Sequence, residues 1–293
     1  MNSITRRKMM TGAGAAALGA TLIPGAKAQD TPEEKPAPQG KIRQSVARWC
    51  YNKVPLPELC KAGKEMGLEA IDLLKENEWA VAHDHGLEVS TAFVGAGGIG
   101  KGLNKPENHA TIIKAFEENI PKAAAAKVRN AICFFGNRVD DMPDEKAIEN
   151  SINCLNQCKA IAEENKVTII VELLNSKVNH AGYIGDKTPY CVEIIKAVDS
   201  DYVKVLYDIY HAQIMEGDVI RTIRDNHQYF GHYHTGGNPG RNEIDDTQEL
   251  YYPAITKAVL DTGYTGFYAH EFIPTAEKPL ESLRKAVEMC DVG

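Results

Sequence analysis

The sequence predicts an α/β fold, a single-domain (β/α)8 TIM barrel, on three observations. Short β-rich runs alternate strictly with helical segments, and eight such runs can be counted. Residues 41–293 match the ~250-residue size usual for a parallel eight-stranded barrel. No shift in composition divides that stretch. A doubly wound open sheet is the other arrangement that the same alternation permits.

With 43% hydrophobic and 25% charged residues, the 293-residue chain can bury a large core and is too apolar for disorder. No apolar run reaches the ~18 residues that a membrane span needs. The formal net charge of −7 argues against a nucleic-acid partner, because phosphate-backbone contact relies on surplus Lys and Arg. Seven cysteines at scattered spacings form neither a disulfide framework nor a zinc ribbon.

Residues 1–28 are expected to be a signal peptide of the twin-arginine type. Arg6, Arg7 and Lys8 form a basic head, a weakly apolar Gly/Ala-rich stretch follows, and Ala26-Lys27-Ala28 offers small residues at a cleavage site. Cleavage there removes Arg6, Arg7, Lys8 and Lys27 and no acid, so the remainder is more acidic than the full chain. The residue directly after Ala28 is Gln29, not Cys, and no stable membrane anchor is expected. The expected partner is the twin-arginine export machinery, and the expected location is periplasmic or secreted in a bacterium. Residues 29–40, QDTPEEKPAPQG, hold three prolines and no apolar periodicity, and are expected to be a flexible linker.

The eight strand candidates are 43–50, 70–74, 88–93, 131–135, 167–174, 203–207, 230–234 and 266–272. Between them, Asp144 opens a helix placing Ile148, Ile152 and Leu155 on one face, and Thr188-Pro189 opens another with proline in its first turn. In such barrels the chemistry sits at the C-terminal ends of the strands. Four consecutive candidates carry polar residues there. The fifth has Glu172, the sixth leads through Asp208 to His211, the seventh has His232 and His234, and the eighth has His270 and Glu271. Each carboxylate interrupts an apolar run, and a buried carboxylate needs a cation or strong donors beside it. A strand Glu paired with a neighbouring Arg explains any one of them; four converging on one mouth point to a shared divalent cation. Three carboxylates and one imidazole suit a hard to borderline ion, Mn2+ first, with Mg2+, Co2+ and Zn2+ admissible. Such an ion favours proton transfer beside a carbonyl through a metal-stabilised enediolate, with Glu172 and Glu271 as acid and base.

The segments VELLN (171–175), YDIYHAQIMEGD (207–218), PGR with a following acid (239–243) and HEF (270–272) together resemble the xylose isomerase-like barrel superfamily, and within it the hydroxypyruvate isomerase family. His234 is similar instead to the ketose 3-epimerases. The resemblance implies a sugar or small keto-acid isomerase or epimerase with one divalent metal ion. It places the metal on Glu172, Asp208, His234 and Glu271, catalysis on Glu172 and Glu271, and substrate oxygens on His211 and Arg241. The expected partner in turnover is a small-molecule sugar or keto acid. Homo-oligomerisation through exposed helices stays open. Two alternatives keep the same metal site: an exported lyase acting on 3-keto-glycosides, and a carbohydrate-binding protein.

Other motifs carry less. GAGGIGKG (95–102) nearly fits a phosphate loop but lacks Ser or Thr after Lys101, and reads as a pocket rim. His83 and His85 read as exposed caps of a helix end, and Cys154 and Cys158 as an ordinary buried pair. Glu216 is placed to orient His211 or, equally, to compensate a helix dipole.

Overall fold

The computed structural model describes residues 41–292; the expected signal peptide and linker lie outside them. Among the described residues are nine strand segments: β1 (Arg43–Ala47), β2 (Ala70–Asp72), β3 (Glu88–Val89), β4 (Thr91–Ala92), β5 (Asn130–Phe134), β6 (Thr168–Glu172), β7 (Val203–Asp208), β8 (Phe230–Thr235) and β9 (Phe267–His270). All pairings between them are parallel, in the order β3-β2-β1-β9-β8-β7-β6-β5-β4. The two ends of this sheet, β3 and β4, are halves of one strand that breaks at Ser90. The Ser90 N–H donates to the Ile71 carbonyl at 3.1 Å, and the Ser90 carbonyl accepts from the Asn130 N–H at 3.1 Å. The third predicted strand therefore bridges both edges and closes the barrel as a single α/β domain. A closed sheet leaves no edge to aggregate.

The helices are α1 (Leu56–Met66), α2 (Trp79–Asp84), α3 (Pro106–Ala125), α4 (Asp144–Asn165), α5 (Thr188–Val198), α6 (Ile209–Met215), α7 (Val219–Asn226), α8 (Tyr252–Asp261) and α9 (Pro279–Cys290). Five of them, α1, α3, α5, α8 and α9, carry proline in the first turn, where its missing N–H costs nothing. α4 starts at Asp144 as predicted, but its buried face is rotated. Ala147, Ser151, Cys154 and Cys158 line the core with Leu155, while Ile148 and Ile152 are only half-buried. Packing against α3 and α5 from two sides favours the smaller side chains there. Cys154 and Cys158 are both free thiols within that core. The first strand is shorter than predicted, because the chain leaves the sheet at Ala47 for a 3-10 turn over Arg48–Tyr51. No helix among the described residues is long and apolar enough to cross a membrane.

The glycine-rich segment after β4 folds back over the barrel mouth instead of opening a helix; α3 begins only at Pro106. Gly102 lies directly against the end of β5, where a Cβ would collide with the Phe134 carbonyl and the Gly136 N–H. Leu103 and Asn104 then donate to the Phe134 and Phe135 carbonyls, each at 3.0 Å. Gly102→Ala is expected to cost about 1–3 kcal/mol, read as a fall in Tm of several degrees. Gly98→Ala, where a Cβ meets nothing within 4 Å, is expected to leave Tm unchanged.

Candidate metal centre

Parallel register brings the polar strand ends to one level. Glu172 ends β6, Asp208 ends β7 opposite His234 of β8, and Glu271 follows β9 with its N–H donating to the Thr235 carbonyl at 3.0 Å. Asp208 also caps α6, its Oδ1 accepting from the His211 N–H at 3.1 Å, so the turn from strand to helix fixes the carboxylate.

One ligand atom from each of Glu172, Asp208, His234 and Glu271 lies within 4.8 Å of the others, and all four residues are buried. His234 Nδ1 is 2.7 Å from Glu271 Oε2, 3.4 Å from Glu172 Oε1 and 4.0 Å from Asp208 Oδ2. Arg241 closes the ring, with one guanidinium nitrogen 3.1 Å from Asp208 Oδ2 and bonded to Glu271 Oε2. It sits between two aromatic rings, 5.2 Å from the centre of Trp49 and 5.5 Å from that of Tyr210.

Three buried carboxylates this close repel one another, and the two nearby cations do not serve them equally. Burial opposes the charge on Glu271, but Arg241 and His234 overcome it and hold that carboxyl well below the usual range. Burial instead pushes Asp208 up to about 7 against the pull of Arg241, and raises Glu172 as well, with Glu271's charge adding to the effect. His234 is opposed by burial, yet Glu271, Asp72 and Glu172 raise it well above an ordinary imidazole. The cluster is thus short of positive charge at an all-oxygen-and-nitrogen donor set. A divalent cation of hard to borderline character fits it.

A carboxyl whose folded pKa exceeds its unfolded value favours folding when protonated. The metal-free protein therefore loses the Asp208 contribution as pH rises through about 7, the range in which a cation replaces the proton. The gain in Tm on adding Mn2+ is expected to grow from pH 5 to pH 8, measured by thermal melts at each pH. A gain independent of pH contradicts this assignment.

His211 is fully buried; its Nδ1 accepts from the Asn175 N–H at 3.1 Å, leaving Nε2 as the protonated nitrogen, 3.6 Å from Asp208 Oδ2. Burial, with Arg241 nearby, holds His211 well below its ordinary pKa, so it is a neutral donor. Glu216 does not orient it. Its carboxylate accepts from the Thr188 N–H and hydroxyl, both at 2.8 Å, and caps α5. His270 turns away from the cluster to Gln44 at 2.8 Å. His85 lies 2.8 Å from the Val81 carbonyl at the end of α2, as a capping residue would.

Three contributors escaped the sequence reading. Trp49 Nε1 donates to Glu271 Oε1 at 2.6 Å from the turn after β1, a position without a sequence signal. His180, on the loop after β6, lines the same cavity as Glu172 and packs its ring 5.3 Å from His211. Asp72 lies 2.9 Å from His234 Nε2. It was detectable, since it interrupts the apolar run 70–74 just as Glu172 interrupts its own.

Beside the cluster opens a cavity of about 440 Å3. Glu172, Glu271, Arg241 and His180 make its polar end; Trp49 and Phe134 belong to its apolar wall. Gly97, Gly98 and Ile99 of the glycine-rich segment form part of its lining, as a pocket rim does.

A parallel barrel with a carboxylate and histidine cluster at its strand ends defines a class, and sequence comparison identifies it. The chain belongs to the xylose isomerase-like TIM barrel family, whose model matches residues 60–291. Among relatives, it is 26% identical over 246 residues to a Danio rerio protein provisionally named hydroxypyruvate isomerase, covering 83% of this chain and 85% of that protein. It is 34% identical over 110 residues to the 2-oxo-tetronate isomerase of Cupriavidus necator, covering 38% of this chain and 42% of that enzyme. Its fold is similar to that of a 3-keto-D-glucoside 4-epimerase from E. coli, with TM-score 0.71, 18% identity, and coverage of 85% of this chain and 99% of that one.

Proposed function

We propose that this protein is an exported, metal-dependent isomerase or epimerase of a sugar or sugar-like keto compound. The observation that carries the reading is the placement of two glutamates, from opposite sides of the strand pair β7–β8, around one histidine nitrogen. Glu172, Asp208, His234 and Glu271 would hold the cation, Mn2+ being the first candidate. When bound, it supplies Lewis-acid stabilisation of negative charge on adjacent substrate oxygens.

The chain's own residues supply the rest. One glutamate removes the proton from the carbon beside the carbonyl, and either glutamate returns it, to the neighbouring carbon for isomerisation or to the same carbon for epimerisation. His211 Nε2 and the Arg241 fork donate to substrate oxygens, and the Trp49 indole fixes the Glu271 carboxylate. The cavity of about 440 Å3 is large for a three-carbon keto acid and favours a sugar-sized substrate. The names of the Danio rerio and Cupriavidus necator relatives support isomerisation beside a carbonyl as the reaction class.

The test is a panel of ketoses and keto acids incubated in deuterium oxide with the Mn2+-loaded protein. Deuterium entering at the carbon beside the carbonyl, with an isomeric product of unchanged mass otherwise, is the expected result. Release of a leaving group would replace this reading with a lyase. Binding without exchange would replace it with a carbohydrate-binding protein.

A further inference from the structure

Beside the cluster a second group of polar side chains, Asp72, Ser90 and His232, is fully buried and takes no part in lining the cavity. Asp72 is completely buried at the end of β2, three strands away from His234 across the sheet order. Each of its oxygens is engaged. Oδ2 accepts from His234 Nε2 at 2.9 Å. Oδ1 accepts from the Ser90 hydroxyl and lies 3.2 Å from His232 Nε2. Ser90 is the residue at which the third strand breaks, and its hydroxyl points inward for this bond.

A neutral imidazole carries its proton on one nitrogen only, and the partner of one nitrogen decides what the other can do. An anionic carboxylate accepts and cannot donate, so Asp72 requires the proton on Nε2. Without a cation Nδ1 is also protonated and bonded to Glu271 Oε2 at 2.7 Å; a cation at the cluster takes the place of that proton, so the lone pair is left on Nδ1, the atom that faces Glu172, Asp208 and Glu271.

We propose that Asp72, itself held by Ser90, is the positioning residue of the metal centre, fixing the tautomer and ring orientation in which His234 presents Nδ1 to a divalent cation. It touches neither cation nor substrate and acts through His234. The inference rests on the metal-centre reading and is independent of which reaction the centre performs. Asp72, His232 and His234 also offer one ligand atom each within 4.8 Å of one another, the geometry of a second cation site. A cation there would need His234 Nε2 without its proton, the reverse of the tautomer assigned above.

The experiment uses the metal-stripped full-length protein titrated with Co2+ alone, read by its visible absorption and by dialysis. Wild type is expected to bind one equivalent; no binding at all would remove the metal-centre reading on which this inference rests. Asp72→Asn keeps the size of the side chain but offers an N–H to His234 Nε2, which favours the wrong tautomer. It is expected to bind Co2+ about 10–100-fold more weakly with a changed absorption band and an unchanged far-UV circular dichroism spectrum. Ser90→Ala is expected to shift affinity in the same direction by less, and decides the matter if Asp72→Asn does not fold. In a His234→Gln background, Asp72→Asn is expected to change affinity less than about twofold, since the residue it acts through is gone. Wild-type affinity and spectrum in both single variants would overturn the proposal. So would fully additive losses in the double variant, or a second Co2+ equivalent that disappears in Asp72→Asn.

Discussion

Glu271→Gln is expected to lower kcat/KM by about 10²–10⁴, the range that a positioned proton-transfer group contributes. The amide keeps the volume of the side chain but cannot take a proton from carbon. It also removes the anion that Arg241 and His234 both face, leaving one amide oxygen to accept from the Trp49 indole. Glu172→Gln is expected to fall in the same range. The two are told apart by deuterium exchange. If each glutamate serves one side of the substrate, each variant keeps exchange with one isomer and loses it with the other. Metal content must be measured alongside, because both side chains belong to the cluster. Near wild-type turnover in either variant with metal bound would remove that glutamate from the acid–base pair.

Removal of the cation is expected to have the second large effect, on activity and on stability together. Any ligand held only by the folded state stabilises it by mass action, by about 4 kcal/mol at a thousandfold excess over Kd. For a domain of this size that corresponds to a Tm difference of roughly 10 °C between Mn2+-loaded and chelated protein. The physical source is the shortage of positive charge at Asp208 and Glu172, whose carboxyls burial holds above their ordinary pKa. Activity is expected to vanish in excess EDTA and to return with Mn2+ or Co2+. Equal melting temperatures with and without metal would contradict the electrostatic account.

The barrel was legible because its two periodicities are simple. Apolar runs mark the strands, and proline in a helix's first turn, as at Pro189, marks where a crossover begins. The break at Ser90 was not legible. It depends on the Ser90 backbone bonding to two strands distant in sequence, with its hydroxyl turned toward Asp72. The cluster residues Glu172, Asp208, His234 and Glu271 announced themselves as charges within apolar strands, and the structure brings those four to one point. Arg241 was singled out by its motif, but its engagement with Asp208 and Glu271 follows from the loop conformation, with Arg241 itself at positive φ. The rotation of α4 toward Ala147 and Ser151 reflects packing between two neighbouring helices, which a single helix's apolar pattern does not encode. Glu216 shows the opposite case: an acid near a site histidine in sequence, spent on capping another helix.

The proposed chemistry and the added stability both depend on one cation being held at the strand ends by these side chains. Equilibrium dialysis of metal-stripped protein against Mn2+, with wild type and Asp208→Asn side by side, tests this most directly. One equivalent bound by wild type and at least tenfold weaker binding by the variant are expected. No Mn2+ bound by wild type, or the same affinity in both, would contradict the metal centre.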